Sequence, residues 1–221
     1  MKASLIRLIM GILAFAAIAP ASLDAQTSAP PAQAAPLYTA AQLDQLLAPV
    51  ALYPDQLLGQ ILIASTYPLE VVEAARWVED PNNARLKGDQ LAAALQGKDW
   101  DPSVKSLAPF PQILRMMDDR LDWMQKLGDA FLAQQNEVMD SVQRLRRQAE
   151  EAGTLQSSPQ QTVTTQDQTI TVEPANPNVV YVPVYDPTVV YGAWPYPDRP
   201  TISRRPASWG HRSGPASGGV R

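Results

Sequence analysis

The sequence predicts a mainly α-helical domain ending in one long helix, followed by a small β-hairpin and extended arm and a disordered C-terminal tail. Three observations lead there. Apolar residues recur at helical spacing from about Tyr38, punctuated by prolines and polar caps, and the pattern stops at Gly153. Residues 162–172 then read TVTTQDQTITV, β-branched on both sides of a polar turn. From Arg199 to Arg221 there are five arginines and no acid, a composition that cannot build a core.

Ahead of the domain, residues 1–25 read as a signal peptide: Lys2 and Arg7, an apolar run from Leu8 to Ala19, then small residues. The run is shorter than the roughly 20 residues a membrane span needs, so no transmembrane anchor is expected in the mature chain. Cleavage fits after Ala21 or after Ala25, with Ala25 favoured. Residues 26–37 (QTSAPPAQAAPL) form a Pro/Ala-rich spacer. The expected location is therefore periplasmic or extracellular.

The helical domain spans 38–153. Thr39 and Gln42 make a capping box, with Tyr38 and Leu43 at the staple positions around it. A second helix over Asp55–Thr66 carries Leu57, Leu58, Ile61 and Leu62 on one stripe. Pro68 suits the first turn of a third helix through Trp77, with Glu70 and Glu73 near its positive end. Asp80-Pro81-Asn82-Asn83 breaks it, a short helix follows over Gln90–Gln96, and Asp101 with Pro102 reads as another cap. Pro109 and Pro111 punctuate the approach to the longest helix, Asp119–Ala152, which Gly153 terminates. Its stripe of Met124, Leu127, Phe131, Val138, Val142 and Leu145 is close to a heptad seam. At roughly 50 Å this helix either bends and packs within its own bundle, or projects and offers the seam for self-association.

The arm spans 154–197. Gln166-Asp167-Gln168 marks a hairpin turn. Val179-Val180-Tyr181 and Val189-Val190-Tyr191 form a near repeat, and the intervening prolines predict edge strands or extended segments. The tail, 198–221, is basic.

Four blocks in order carry a resemblance: ALYPDQLLGQILIASTYPLEVVEAARWV, WDPSVKSLAPFPQIL, DWMQKLGDAFLAQQNEVMDSVQRLRRQAEEAGTL and VVYVPVYDPTVVYGAW. Over about residues 40–197 the chain resembles an uncharacterised family of exported bacterial proteins, domain of unknown function 3300. The resemblance implies a secreted or periplasmic protein and brings no activity, cofactor or catalytic residue with it. It fades after Asp198, where either a frameshift or a divergent tail fits the ending RPTISRRPASWGHRSGPASGGVR.

Composition narrows the chemistry. The 221 residues carry a formal charge of −4, no Cys and one His. Disulfides, thiolate metal sites and a cysteine nucleophile are excluded. His211, set in a Gly/Ser/Arg tail, is a poor member of any triad or metal site. No nucleic-acid footprint, cofactor motif or metal site is expected. Glu70/Glu73, Asp99/Asp101 and Asp118/Asp122 are the carboxylate pairs available for general acid–base work, and a carboxyl beside Trp100 suits glycan cleavage. Helix capping and dipole matching explain the same acids more simply. The expected binding residues are Tyr181, Tyr185, Tyr191 and Trp194, which alternate with prolines. Such a surface suits sugars or a proline-rich partner, unless the tyrosines pack the arm onto the helices. The sequence thus favours a non-catalytic cell-envelope interaction or assembly factor, with peptidoglycan or another envelope protein as partner. The alternative is a carboxylate-dependent enzyme acting on cell-wall glycan.

Overall fold

The computed structural model describes residues 36–177 and 179–196. The expected signal peptide over 1–25, most of the expected spacer over 26–37 and the expected tail over 198–221 lie outside the described residues. Within them the protein is mainly helical, with one two-stranded antiparallel sheet.

Helix α1 (Ala40–Leu47) starts with the expected box: Thr39 Oγ1 accepts from the Gln42 amide, and Gln42 Oε1 accepts from the Thr39 amide. Helix α2 (Asp55–Ala64) buries Leu57, Leu58, Ile61 and Leu62. Helix α3 (Pro68–Glu79) begins at Pro68, and α4 (Gly88–Gln96) is followed by Gly97. In α5 (Pro102–Leu107) the Asp101 side chain accepts from the Ser103 amide at 2.8 Å. Helix α1 packs on α7 and α8, α2 on α5 and α7, and α3 on α6. The interior between them is almost wholly aliphatic, from Leu43 and Leu47 to Val142 and Leu145.

The single long helix is not formed. Its place is taken by α7 (Leu121–Ala133) and α8 (Gln135–Glu151), and the proline-punctuated approach to it forms a helix of its own, α6 (Pro111–Asp118). Pro111 is the first residue of α6, a position where its missing N–H costs nothing. Gln134 ends α7 and caps α8 with φ −143° and ψ 49°. Its buried side chain acts like a short piece of strand: Oε1 accepts from the Tyr38 amide at 2.7 Å and Nε2 donates to the Tyr38 carbonyl at 3.1 Å. The bend lets both halves of the stripe reach α1, and Met124, Leu127, Val138, Val142 and Leu145 are fully buried. Of the two alternatives, the seam thus packs within its own domain.

Helix α8 stops as anticipated. Gly153 has φ +72°, its amide bonds to the Glu150 carbonyl, and the Thr154 amide bonds to Ala149, a Schellman pairing. The hairpin pairs β1 (Gln161–Gln166) with β2 (Thr169–Pro174), Gln166 opposite Thr169. Asp167 and Gln168 both take positive φ, as a two-residue type I′ turn requires. Ile170 and Val172 point into the core. Beyond it, Val179 makes an isolated bridge to Asn176. The second Val-Val is helical, not extended: α9 (Pro187–Val190) starts on Asp186, whose carboxylate accepts from the Thr188 amide and hydroxyl.

Candidate functional site

The site grows from an unusual turn. Ala48 and residues 50–54, between α1 and α2, are buried, so their carbonyls must find donors inside the protein. Val50 and Pro54 are served locally by the amides of Tyr53 and Leu58, but Ala48, Ala51 and Tyr53 are served from far along the chain. The hydroxyls of Tyr185 and Tyr191 both rest on the Ala48 carbonyl, at 3.0 and 2.7 Å. Arg146, 1% exposed, donates to the carbonyls of Ala51, Tyr53 and Ile170 and pairs with Asp55 at 2.5 Å. Trp123 Nε1 donates to Leu46 at 2.8 Å. On α1, the buried Asp44 accepts from Ser141, from Arg144 at 2.7 Å and from the Tyr196 hydroxyl at 2.5 Å.

The expected binding set Tyr181, Tyr185, Tyr191 and Trp194 is therefore divided. Tyr191 is buried and Tyr185 half-buried, with its hydroxyl also accepting from the Leu52 amide. Burial pushes the phenol of Tyr185 well up and raises that of Tyr191. Trp194 lies between Tyr191 and Tyr196, with ring centres 6.0 and 5.7 Å apart. These rings fasten the arm to the helices. Tyr181, 46% exposed, is presented to solvent, and Val179, Val184 and Val189 are exposed beside it in sequence at 59, 89 and 68%. The valines were not among the expected residues, although the Val-Val-Tyr repeat pointed at two of them.

The hairpin is fastened by side chains along β2. Gln143 accepts from the Ile170 amide and donates to its carbonyl, and Asp55 accepts from the Val172 amide. On the other strand, Ser157 Oγ bonds both the amide and the carbonyl of Val163. These contacts occupy backbone groups that an edge would otherwise offer to another strand.

The carboxylate pairs are organised as structure. Glu73 accepts from the Trp100 indole at 3.1 Å and Glu70 from the Asp101 amide at 2.5 Å, so this pair holds the loop entering α5. Trp100 meets Trp77 edge to face, with Lys98 over both rings. Hydrogen bonding from the Ser103 hydroxyl holds the Asp101 carboxyl below its usual range. A general acid needs the opposite shift. Among the described residues no group of three His, Cys, Asp or Glu side chains is placed to hold a metal ion.

Asp118, Asp119 and Asp122 all line an open groove of about 970 Å³. Tyr38, Leu46, Pro49 and Trp123 give it apolar and aromatic walls, and Arg120 and Lys126 add two cations. Trp123 is half-buried: it packs against the core and also lines this groove.

The family model described as "Protein of unknown function (DUF3300)" matches residues 39–216. That match runs past Asp198 and favours a divergent tail over a lost reading frame. The chain is 44% identical to "Uncharacterized protein YacH" of Escherichia coli (strain K12) in an alignment 217 positions long that covers 82% of this chain. It spans about a third of that relative's length, 35%. No solved structure matches. Among the described residues no helix is long and apolar enough to cross a membrane.

Proposed function

The chain belongs to the DUF3300 family, and we propose that it is an exported, non-catalytic interaction factor of the cell envelope that docks a protein partner on its arm. The observation that carries this reading is the division of labour within one short segment. Tyr185, Tyr191 and Tyr196 bond to α1 and its C-terminal carbonyl, while Val179, Tyr181, Val184 and Val189 face solvent. A surface held in place before its partner arrives loses little entropy on binding. Exposed apolar side chains concentrated in one segment gain from being covered. The signal-peptide pattern of residues 1–25 supports export. The lowered Asp101 carboxyl and the engaged Glu70 and Glu73 favour binding over glycan cleavage.

The test is envelope retention of the full chain expressed in a Gram-negative host. Wild type is expected in the envelope pellet after a salt wash. Val184→Asp with Val189→Asp is expected in the soluble fraction with an unchanged melting temperature, and Asp101→Asn should behave as wild type. Retention of the folded double variant at wild-type level contradicts the proposal.

A further inference from the structure

We propose that the groove between α1 and the α6–α7 junction binds an uncharged saccharide chain. It is distinct from the arm surface and goes beyond the reading above. Its volume, about 970 Å³, is at the upper end of the range that ligand sites occupy. Two of its lining residues are aromatic, and each is anchored by hydrogen bonds. The backbone of Tyr38 is clamped by Gln134 through two hydrogen bonds. Trp123 is tied to the Leu46 carbonyl, with the Arg120 guanidinium 5.5 Å from its ring centre. Rings positioned in advance offer apolar contact area to the C–H face of a pyranose at little entropic cost.

The polar rim sets the ligand's chemistry. Asp118, Asp119 and Asp122 are acceptors only when ionised, so they favour a ligand rich in donors, as sugar hydroxyls are. The same three carboxylates repel phosphates and nucleic acid. A polycation would suit the acids, but Arg120 and Lys126 in the same groove oppose it. Three acids against two bases leave a nearly balanced rim, which matches an uncharged polyol better than an ion of either sign.

The full chain is titrated with two soluble probes, a β-1,4-linked N-acetylglucosamine tetrasaccharide and a β-1,4-linked glucose tetrasaccharide, followed by calorimetry and tryptophan fluorescence. Saturable binding of at least one is expected, and the preferred probe separates amino-sugar from plain glucan sources. Asp118→Asn with Asp122→Asn, which preserves shape, should weaken it about tenfold. Trp123→Phe should weaken it similarly, with a somewhat lower melting temperature from the lost bond to Leu46 but an unchanged helical circular dichroism spectrum. Val184→Asp with Val189→Asp should leave it unchanged, so loss of partner docking and loss of sugar binding are read separately. Absence of saturation by either sugar at millimolar concentration overturns the proposal. So does unchanged affinity in the Asp118/Asp122 variant, or tighter binding of a tetralysine peptide that the sugars fail to displace.

Discussion

Arg146 shows how much one side chain holds. It is buried on α8, yet its three nitrogens serve three carbonyls and one carboxylate drawn from the α1–α2 turn, α2 and β2. Arg146→Met keeps the apolar stem and removes the donors. The Ala51 and Tyr53 carbonyls then lose their side-chain partner, while Ile170 keeps Gln143, which is expected to cost about 3 kcal/mol, read as a fall in urea midpoint. Less than about 1 kcal/mol would show that water or neighbouring groups replace it. The tyrosines make a pH prediction. Tyr185 and Tyr191 have raised folded-state values, whereas in the unfolded chain they ionise near pH 10. The folded state therefore holds more protons than the unfolded state above that pH, and stability present below it is lost as pH rises. Thermal melts across that range should fall steeply, and Tyr191→Phe should show a shallower fall. An unchanged slope in the variant would contradict the burial of that hydroxyl.

Between elements, two helical glycines separate propensity from packing. At Gly59 in α2 an added Cβ meets nothing within 4 Å, whereas at Gly128 in α7 it would lie 2.4 Å from the Ser65 carbonyl oxygen at the end of α2. Gly59→Ala is expected to stabilise by about 0.5–1 kcal/mol from helix propensity. Gly128→Ala should destabilise by about 2 kcal/mol despite the same propensity gain, because two backbones must part. Denaturant melts of the pair decide it: a stabilised Gly128→Ala would refute the close approach of α7 and α2. Local chemistry was readable in the chain. The Thr39–Gln42 box, the Asp101-Pro102 start, the hairpin turn and the Gly153 stop all depend on residues within a few positions of one another. The break at Gln134 was not readable, because glutamine is a good helix former and its partner Tyr38 lies 96 residues away. Helix α6 was hidden because Pro111 suits either a loop or a first turn. Helix α9 was within reach: Asp186-Pro187-Thr188-Val189 repeats the pattern of Asp101-Pro102-Ser103-Val104, but neighbouring valines and prolines gave the segment an extended look.

At the scale of the molecule, the arm is a continuation of the helical core. The end of α1 carries carbonyls that no local glycine cap satisfies, and the arm's hydroxyls satisfy Ala48. This explains why the sequence could name the aromatic segment yet not sort it: which tyrosine faces inward depends on where the carbonyls of residues 44–53 lie after the helices have packed. The four exposed side chains left over define the surface on which the functional account rests. The most direct test places a photoreactive benzoylphenylalanine at Tyr181 in the full chain and irradiates intact cells. The account predicts one discrete adduct in the envelope fraction. It should disappear when Val184→Asp and Val189→Asp are added, and should not form from the same group placed at the exposed Gln160. Equal labelling from positions 181 and 160, or none from 181, would contradict it.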